Sequence, residues 1–137
     1  MTIQISDAVR DARLDALETA IGTAPILRIY ESSGSPPADE SDAANGTVLA
    51  EMTLPSDWMA AASGGTKGKS GTWEDASADA AGVADYFRIY NSGDTVCHMQ
   101  GTVTGSGGGG DMELQNTNIA AEQTVTITQF DLTDGNA

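Results

Sequence analysis

The stretch YFRIYNSGDTVCHM, residues 86–99, has the pattern of a strand, a tight turn and a second strand. A similar pattern occurs earlier, where ILRIYESSG (residues 26–34) is followed by TVLAEM (residues 47–52). Both copies contain Arg-Ile-Tyr, at residues 28–30 and 88–90. Because these residues favour strands, the repeat predicts two antiparallel hairpins, the first with a long connection and the second with a minimal one.

The two arginines of the repeat, Arg28 and Arg88, are two of only 6 cationic residues in the chain. We expect them to be surface charges that keep strand edges from associating. The alternative is that each pairs with a carboxylate on the adjacent strand.

Residues 5–21 predict an N-terminal helix, with Ser6 as the N-cap and with Gly22 and Pro25 ending it. Apolar residues and alanines cover well over half of its circumference, whereas packing on one surface needs a stripe of about 100°. We therefore expect this helix to pack on its own domain and also on a neighbouring subunit; a narrower apolar stripe with neutral alanines is the alternative. One narrow face of the helix is acidic: Asp7, Asp11, Asp15 and Glu18.

The rest of the chain predicts strands and polar loops. The predicted fold is mainly β, a β-sandwich or jelly roll of about six to eight antiparallel strands with one N-terminal α-helix. Residues 1–24 form the arm and helix, and residues 25–137 form the sandwich domain. Residues 31–46, the acidic loop, have the composition of an exposed and mobile segment. Residues 105–110 have that of a flexible Gly/Ser linker.

The charge balance narrows the classes of partner. The chain has 20 acidic and 6 basic residues, a formal net charge of -14. So few cations cannot form the several phosphate contacts that nucleic acid requires, and anionic membranes are disfavoured for the same reason. A single cysteine, Cys97, excludes an internal disulfide and fits a reducing compartment. No apolar run or basic leader predicts membrane insertion or export, so we expect synthesis in the cytosol.

No arrangement of residues predicts catalysis. Cys97 and His98 are neighbours on a predicted strand, so their side chains point to opposite faces and cannot act as a dyad. The string GGTKGKS, residues 64–70, lacks the spacing of a phosphate-binding loop. The carboxylates lie in loops without the pattern of a calcium site. We predict a non-enzymatic protein with no cofactor and no metal.

Two tryptophans, Trp58 and Trp73, flank this glycine- and lysine-rich loop. We expect them to be anchors of the core or of a hinge. The alternatives are a protein interface, where aromatic side chains are common, or a platform for sugar rings.

Four stretches in order carry a resemblance: DARLDALE (11–18), MTLPSDWMAAAS (52–63), KSGTW (69–73) and FRIY (87–90). With a closing Thr-rich strand, the chain resembles small virion proteins encoded near the capsid genes of tailed bacteriophages and prophages. In particular, it is similar to the jelly-roll cement, or decoration, proteins that coat an HK97-type capsid. The resemblance covers most of the chain and carries over no functional residue.

The resemblance implies a protein made in the host bacterial cytoplasm that binds the outer capsid surface across subunit seams and stabilises it. Its partners would be the major capsid protein and itself, as a dimer or trimer. A tail, baseplate or fibre component involved in host adsorption is the alternative, either with the helix in a central bundle or binding carbohydrate. The predicted interface residues are Ile3, Ile5, Val9, Leu14, Leu17, Ile21, Trp58 and Trp73. Deletion of residues 1–22 is expected to leave a folded sandwich that no longer binds capsids.

Overall fold

The structure is a computed structural model that describes residues 1–135. This part of the chain contains one helix and ten strands. Their bounds are α1 Asp7–Ile21, β1 Ile26–Glu31, β2 Thr47–Thr53, β3 Thr66–Gly68, β4 Glu74–Asp75, β5 Gly82–Val83, β6 Tyr86–Tyr90, β7 Cys97–Gly105, β8 Met112–Leu114, β9 Asn118–Ile119 and β10 Val125–Thr133.

Helix α1 has the predicted ends. Ser6 is the N-cap and its hydroxyl accepts a hydrogen bond from the Val9 amide at 3.4 Å. The amide of Gly22 closes the other end by donating to the carbonyl of Glu18 at 2.9 Å.

The strands form an 8-stranded sheet in the order β2-β1-β6-β7-β8-β10-β3, in which β4 also pairs with β10, and β5 pairs with β9 separately. The predicted mainly β class with one N-terminal helix is confirmed, and the architecture fits a β-sandwich. One pair differs from the antiparallel expectation, because β7 and β8 are parallel, with Val103 opposite Met112. The sheet is therefore mixed.

Other segments of the chain cover both outer strands of this sheet. At β2, the Asp79 amide donates to the carbonyl of Leu49 at 2.8 Å. The Glu51 amide donates to the Asp75 carboxylate at 3.1 Å. At β3, the Ala60 amide donates to the carbonyl of Gly68 at 2.9 Å. These contacts occupy edge groups that would otherwise be free to pair with another chain.

The core is centred on aromatic rings. Trp58 and Trp73 are both 0% exposed, and their ring centroids are 5.9 Å apart. Phe130 connects Trp73 to Phe87, with centroid distances of 5.3 Å and 5.6 Å. The two tryptophans are thus core anchors, as expected.

The two Arg-Ile-Tyr strands lie side by side. The two predicted hairpins, β1–β2 and β6–β7, are present and antiparallel. Strands β1 and β6 also pair with each other, which places Arg28 directly opposite Arg88. The repeated sequence therefore forms the four adjacent strands at one end of the sheet.

The two arginines have different environments. Arg28 pairs with Glu51 on the adjacent strand at 2.6 Å and with Asp94 at 2.7 Å, so cross-strand pairing is confirmed for this residue. Arg88 is 2% exposed. The expectation of a surface charge is therefore wrong for Arg88, because the acidic loop covers its guanidinium group.

Residues 105–110 form a hydrogen-bonded turn between the parallel strands β7 and β8. The Gly110 amide donates to the Thr104 hydroxyl at 2.9 Å. A Cβ atom at position 110 would lie 2.8 Å from Cγ2 of Thr104. Gly107 and Gly109 have φ angles of 80° and 79°, which glycine adopts without strain. These glycines allow the chain to turn tightly between β7 and β8. A flexible linker would not require such a turn.

We predict that Gly110→Ala lowers the free energy of unfolding by about 1–3 kcal/mol, because the added methyl group overlaps Thr104. Urea denaturation measures this loss. Gly105→Ala is the matched control, since a Cβ at position 105 meets no atom within 4 Å. Equal losses in the two variants would contradict the packing of Gly110 against Thr104.

Candidate interaction surface

The acidic face of helix α1, apart from the exposed Asp7, points towards the sandwich. Its partner is Lys67 of strand β3, whose side chain is only 1% exposed. The Nζ atom of Lys67 lies 2.6 Å from the Asp15 carboxylate and 2.7 Å from the Glu18 carboxylate. It also donates to the carbonyl of Ala60 at 2.8 Å. A buried lysine therefore fastens the helix to the sheet.

Backbone amides strengthen this polar contact. The Gly65 amide donates to the Asp11 carboxylate at 2.7 Å, and the Ala62 amide donates to the Asp15 carboxylate at 3.0 Å. At the end of the helix, Nε1 of Trp58 donates to the carbonyl of Gly22 at 3.0 Å. The two bonds to the Asp11 and Asp15 carboxylates are charge-assisted, and such bonds are among the stronger hydrogen bonds in proteins.

The pKa values follow from this geometry. The hydrogen bond from Lys67, followed by the one from the Ala62 amide, lowers the pKa of Asp15 below its ordinary 3.8. Burial lowers the pKa of Lys67, but the hydrogen bonds to Asp15 and Glu18 outweigh burial and raise it above its ordinary 10.5. Asp15 and Lys67 are therefore both charged near neutral pH.

The opposite side of helix α1, here named the outward face, is exposed. Of its side chains, only Arg13 is charged, and it lies 3.2 Å from the Asp134 carboxylate. Val9 is 47% exposed, and Ile3 in the preceding arm is 82% exposed. The outward face consists of Ala8, Val9, Ala12, Arg13, Ala16, Thr19 and Ala20.

The structure divides the predicted interface residues into two groups. Ile3 and Val9 are exposed and remain available to a partner, whereas Ile5 is partly exposed. The other five are packed by the fold itself, so they offer a partner little or no surface. These are Leu14, Ile21, Trp58 and Trp73, which are buried, and Leu17, which is partly buried against the core.

The packing of α1 affects how the predicted deletion of residues 1–22 can be interpreted. Removing the helix would remove both counter-ions of Lys67 and would uncover Trp58. A loss of binding in the truncated protein would therefore have two explanations. Substitutions on the outward face separate binding from folding.

Three features of residues 1–135 bear on metal binding, side-chain reactivity and ligand binding. No group of three or more His, Cys, Asp or Glu side chains in this part could hold a metal ion. Cys97 is partly buried, which raises the pKa of its thiol, while His98 beside it is exposed. A shallow polar depression lined by Asn116 and Thr124 has a volume of about 60 Å³, well below the volume of ordinary ligand pockets.

Sequence reasoning missed the role of Lys67. Its neighbours are glycine and polar residues, which favour an exposed loop. A usable signal was present in the helix, where Asp11, Asp15 and Glu18 recur at the spacing of one helical face. In a chain with only 6 cationic residues, an acidic helix face of this kind indicates that the helix binds a buried lysine or arginine.

Comparison with models of protein families, with curated proteins and with solved structures found no match to this chain. Within residues 1–135, no helix is both long and apolar enough to span a membrane.

We predict that the stability difference between the wild-type protein and Lys67→Met becomes smaller in acid. The pKa of Asp15 is lowered in the folded state, so its contribution is present above about 3.8 and is lost as pH falls through the folded value. Urea denaturation at about pH 6 and about pH 3 measures the two differences.

Lys69→Met is the matched control, because it removes the same charge from a lysine that is not buried. Its difference from the wild-type protein is expected to change less with pH. A Lys67→Met difference that is the same at both pH values would contradict the proposed pairing.

Proposed function

We propose that this chain is a non-enzymatic structural protein of a tailed-bacteriophage virion. In this proposal it is a capsid cement, or decoration, protein that binds the outer surface of the shell across seams between major capsid subunits. The resemblance in sequence suggests the class. The observation that carries the proposal is the outward face of helix α1, which is uncharged except for Arg13 in a chain of net charge -14.

The distribution of charge supports this choice of surface. The helix carboxylates Asp11, Asp15 and Glu18 are directed to the sandwich, so that the outward face bears alanines and Val9. A partner on this side meets little of the negative charge that the rest of the protein carries, so association there has little repulsion to overcome. Small side chains also let another backbone approach closely.

The shape of the protein supports a role in assembly. A covered sheet with a packed aromatic core is a rigid unit, and the depression beside Asn116 is too small for most substrates. Many copies of a modest contact across seams would resist outward pressure by avidity. The acidic exterior would keep particles apart.

The carbohydrate-binding alternative requires exposed aromatic rings on which a sugar can stack. Four of the aromatic side chains that could serve are buried: Trp58, Trp73, Tyr30 and Tyr86. A tail or baseplate position with a central helical bundle would need Leu14, Leu17 and Ile21 to face outward. Leu14 and Ile21 are instead buried, and Leu17 is partly buried against the core.

We predict that Val9→Asp reduces decoration of isolated shells to background while leaving the fold intact, because it places a carboxylate on the outward face. Val96→Asp is the matched control: Val96 is 48% exposed, as Val9 is 47% exposed, but it lies beside a turn of the sheet. Sedimentation of shells with bound protein measures binding, and circular dichroism checks folding.

Cryo-EM of the particle that carries the chain tests the location directly. Density on the outer shell across subunit seams, with α1 at the contact, is the expected result. Density restricted to the tail or baseplate would overturn the cement proposal, and shells decorated equally by both variants would overturn the role of α1.

A further inference from the structure

The acidic loop is fastened to the outer face of the sheet by two side chains. The guanidinium group of Arg88 donates to the carbonyl of Asp42 at 2.9 Å and to the carbonyl of Asp39 at 3.3 Å. Its Nε donates to Oε1 of Gln100 at 2.9 Å, and Nε2 of Gln100 donates to the carbonyl of Pro37 at 2.8 Å. We name Arg88 and Gln100 the tip site, and residues 36–44 the tip.

The base of the loop is held separately. The Tyr86 hydroxyl donates to the carbonyl of Asn45 at 2.6 Å. The Asn45 side chain accepts from the Ser33 amide at 3.0 Å and donates to the carbonyl of Ser35 at 3.1 Å. Gly46 has a φ angle of 80°, and a Cβ there would lie 1.9 Å from the carbonyl oxygen of Glu31. The base is therefore a stiff support for the tip.

The tip is attached through its main chain. All side chains from residue 38 to residue 44 are exposed, so the tip buries little apolar surface there. Segments of this kind open locally at a small cost in free energy. The expected exposure of the loop is confirmed, but the expected mobility does not follow from composition alone, because Arg88 binds its carbonyls.

The tip site also has an electrostatic preference. Within residues 1–135, Arg88 donates its three side-chain hydrogen bonds to uncharged oxygen atoms. The acidic side chains of the tip, Asp39, Glu40 and Asp42, supply negative charge to a cation that is 2% exposed. A segment that replaces the tip would need aligned carbonyl oxygens and a negative charge.

We propose that the tip can be exchanged between two copies of this chain, so that the tip of each copy lies on the tip site of the other. A second copy carries the segment whose carbonyl spacing and charge already fit Arg88 and Gln100. Exchange of an identical element replaces each contact by the same contact, so it costs little beyond association. The inference does not depend on the proposed function.

Two effects keep the closed monomer dominant in dilute solution. The tip of the same chain competes at an effective concentration of about millimolar. Copies with a net charge of -14 also repel each other, and salt weakens that repulsion. Exchange is therefore expected where copies are crowded, and a direct test requires variants in which self-closure is blocked.

The experiment uses two complementary variants. The donor is Arg88→Met, which has a tip but no functional tip site. The acceptor is a chain in which residues 36–44 are replaced by a short Gly-Ser linker, which has a tip site but no tip. Each variant alone is expected to be monomeric. Their mixture is expected to form a one-to-one heterodimer by analytical ultracentrifugation at about 0.15 M salt.

The matched control is an acceptor that also carries Arg88→Met, which is expected to form no heterodimer. If near-UV circular dichroism shows that Arg88→Met does not fold, Gln100→Met serves as the donor. A labelled synthetic peptide of residues 33–45 is a further probe that needs no folded donor. It is expected to bind the acceptor, as measured by fluorescence anisotropy, and at least tenfold more weakly to the control.

The outcomes are distinct. A heterodimer that requires Arg88 in the acceptor supports tip exchange. No heterodimer between folded variants overturns it, even if the peptide binds. A heterodimer that persists with the control acceptor also overturns it, because the contact then lies elsewhere. Decoration of shells by the wild-type protein is unaffected by any of these results, so this proposal and the proposed function can fail independently.

Discussion

The fold depends on the burial of two cations in a strongly acidic chain. Lys67 is 1% exposed and Arg88 is 2% exposed, and each is surrounded by oxygen atoms from a segment outside the sheet. A buried cation without such partners costs several kcal/mol, so each segment must be in place when the sheet is complete. Lys67 binds the carboxylates of helix α1, and Arg88 binds the carbonyls of the acidic loop. The sheet therefore determines where both segments lie.

This arrangement also determines the surface that remains. Because Asp15 and Glu18 of α1 bind Lys67, the side of the helix that faces solvent carries mainly alanines and Val9. The acidic loop has the reverse arrangement, with its main chain bound to Arg88 and its acidic side chains exposed. The protein thus has a nearly neutral face and a strongly acidic remainder, which is a suitable distribution for a component that binds through one side and repels through the others.

The sequence predicted the elements better than their orientation. Ser6 and Gly22 define the ends of the helix through local chemistry, and the repeated Arg-Ile-Tyr pattern identifies the hairpins, because both signals lie within a few residues. The direction in which α1 faces depends on Lys67, which is distant in sequence and lies in a glycine-rich stretch. Likewise, nothing local shows that β1 pairs with β6, and only that pairing brings Arg88 under the loop. The predicted interface residues Leu14, Leu17, Ile21 and the two tryptophans show the same limit. An apolar side chain reads alike in sequence whether its own fold or a partner packs it, and here the fold packs these five.

Native-state hydrogen exchange measured by mass spectrometry tests the central claim most directly, in the wild-type protein, Lys67→Met and Arg88→Met. If each buried cation holds one segment, the lysine variant exchanges faster in residues 7–21 and the arginine variant in residues 32–46, with strands β6 and β10 unchanged. Faster exchange throughout the sandwich in either variant, or no change in the segment concerned, would contradict the claim that these two cations hold the helix and the loop in place.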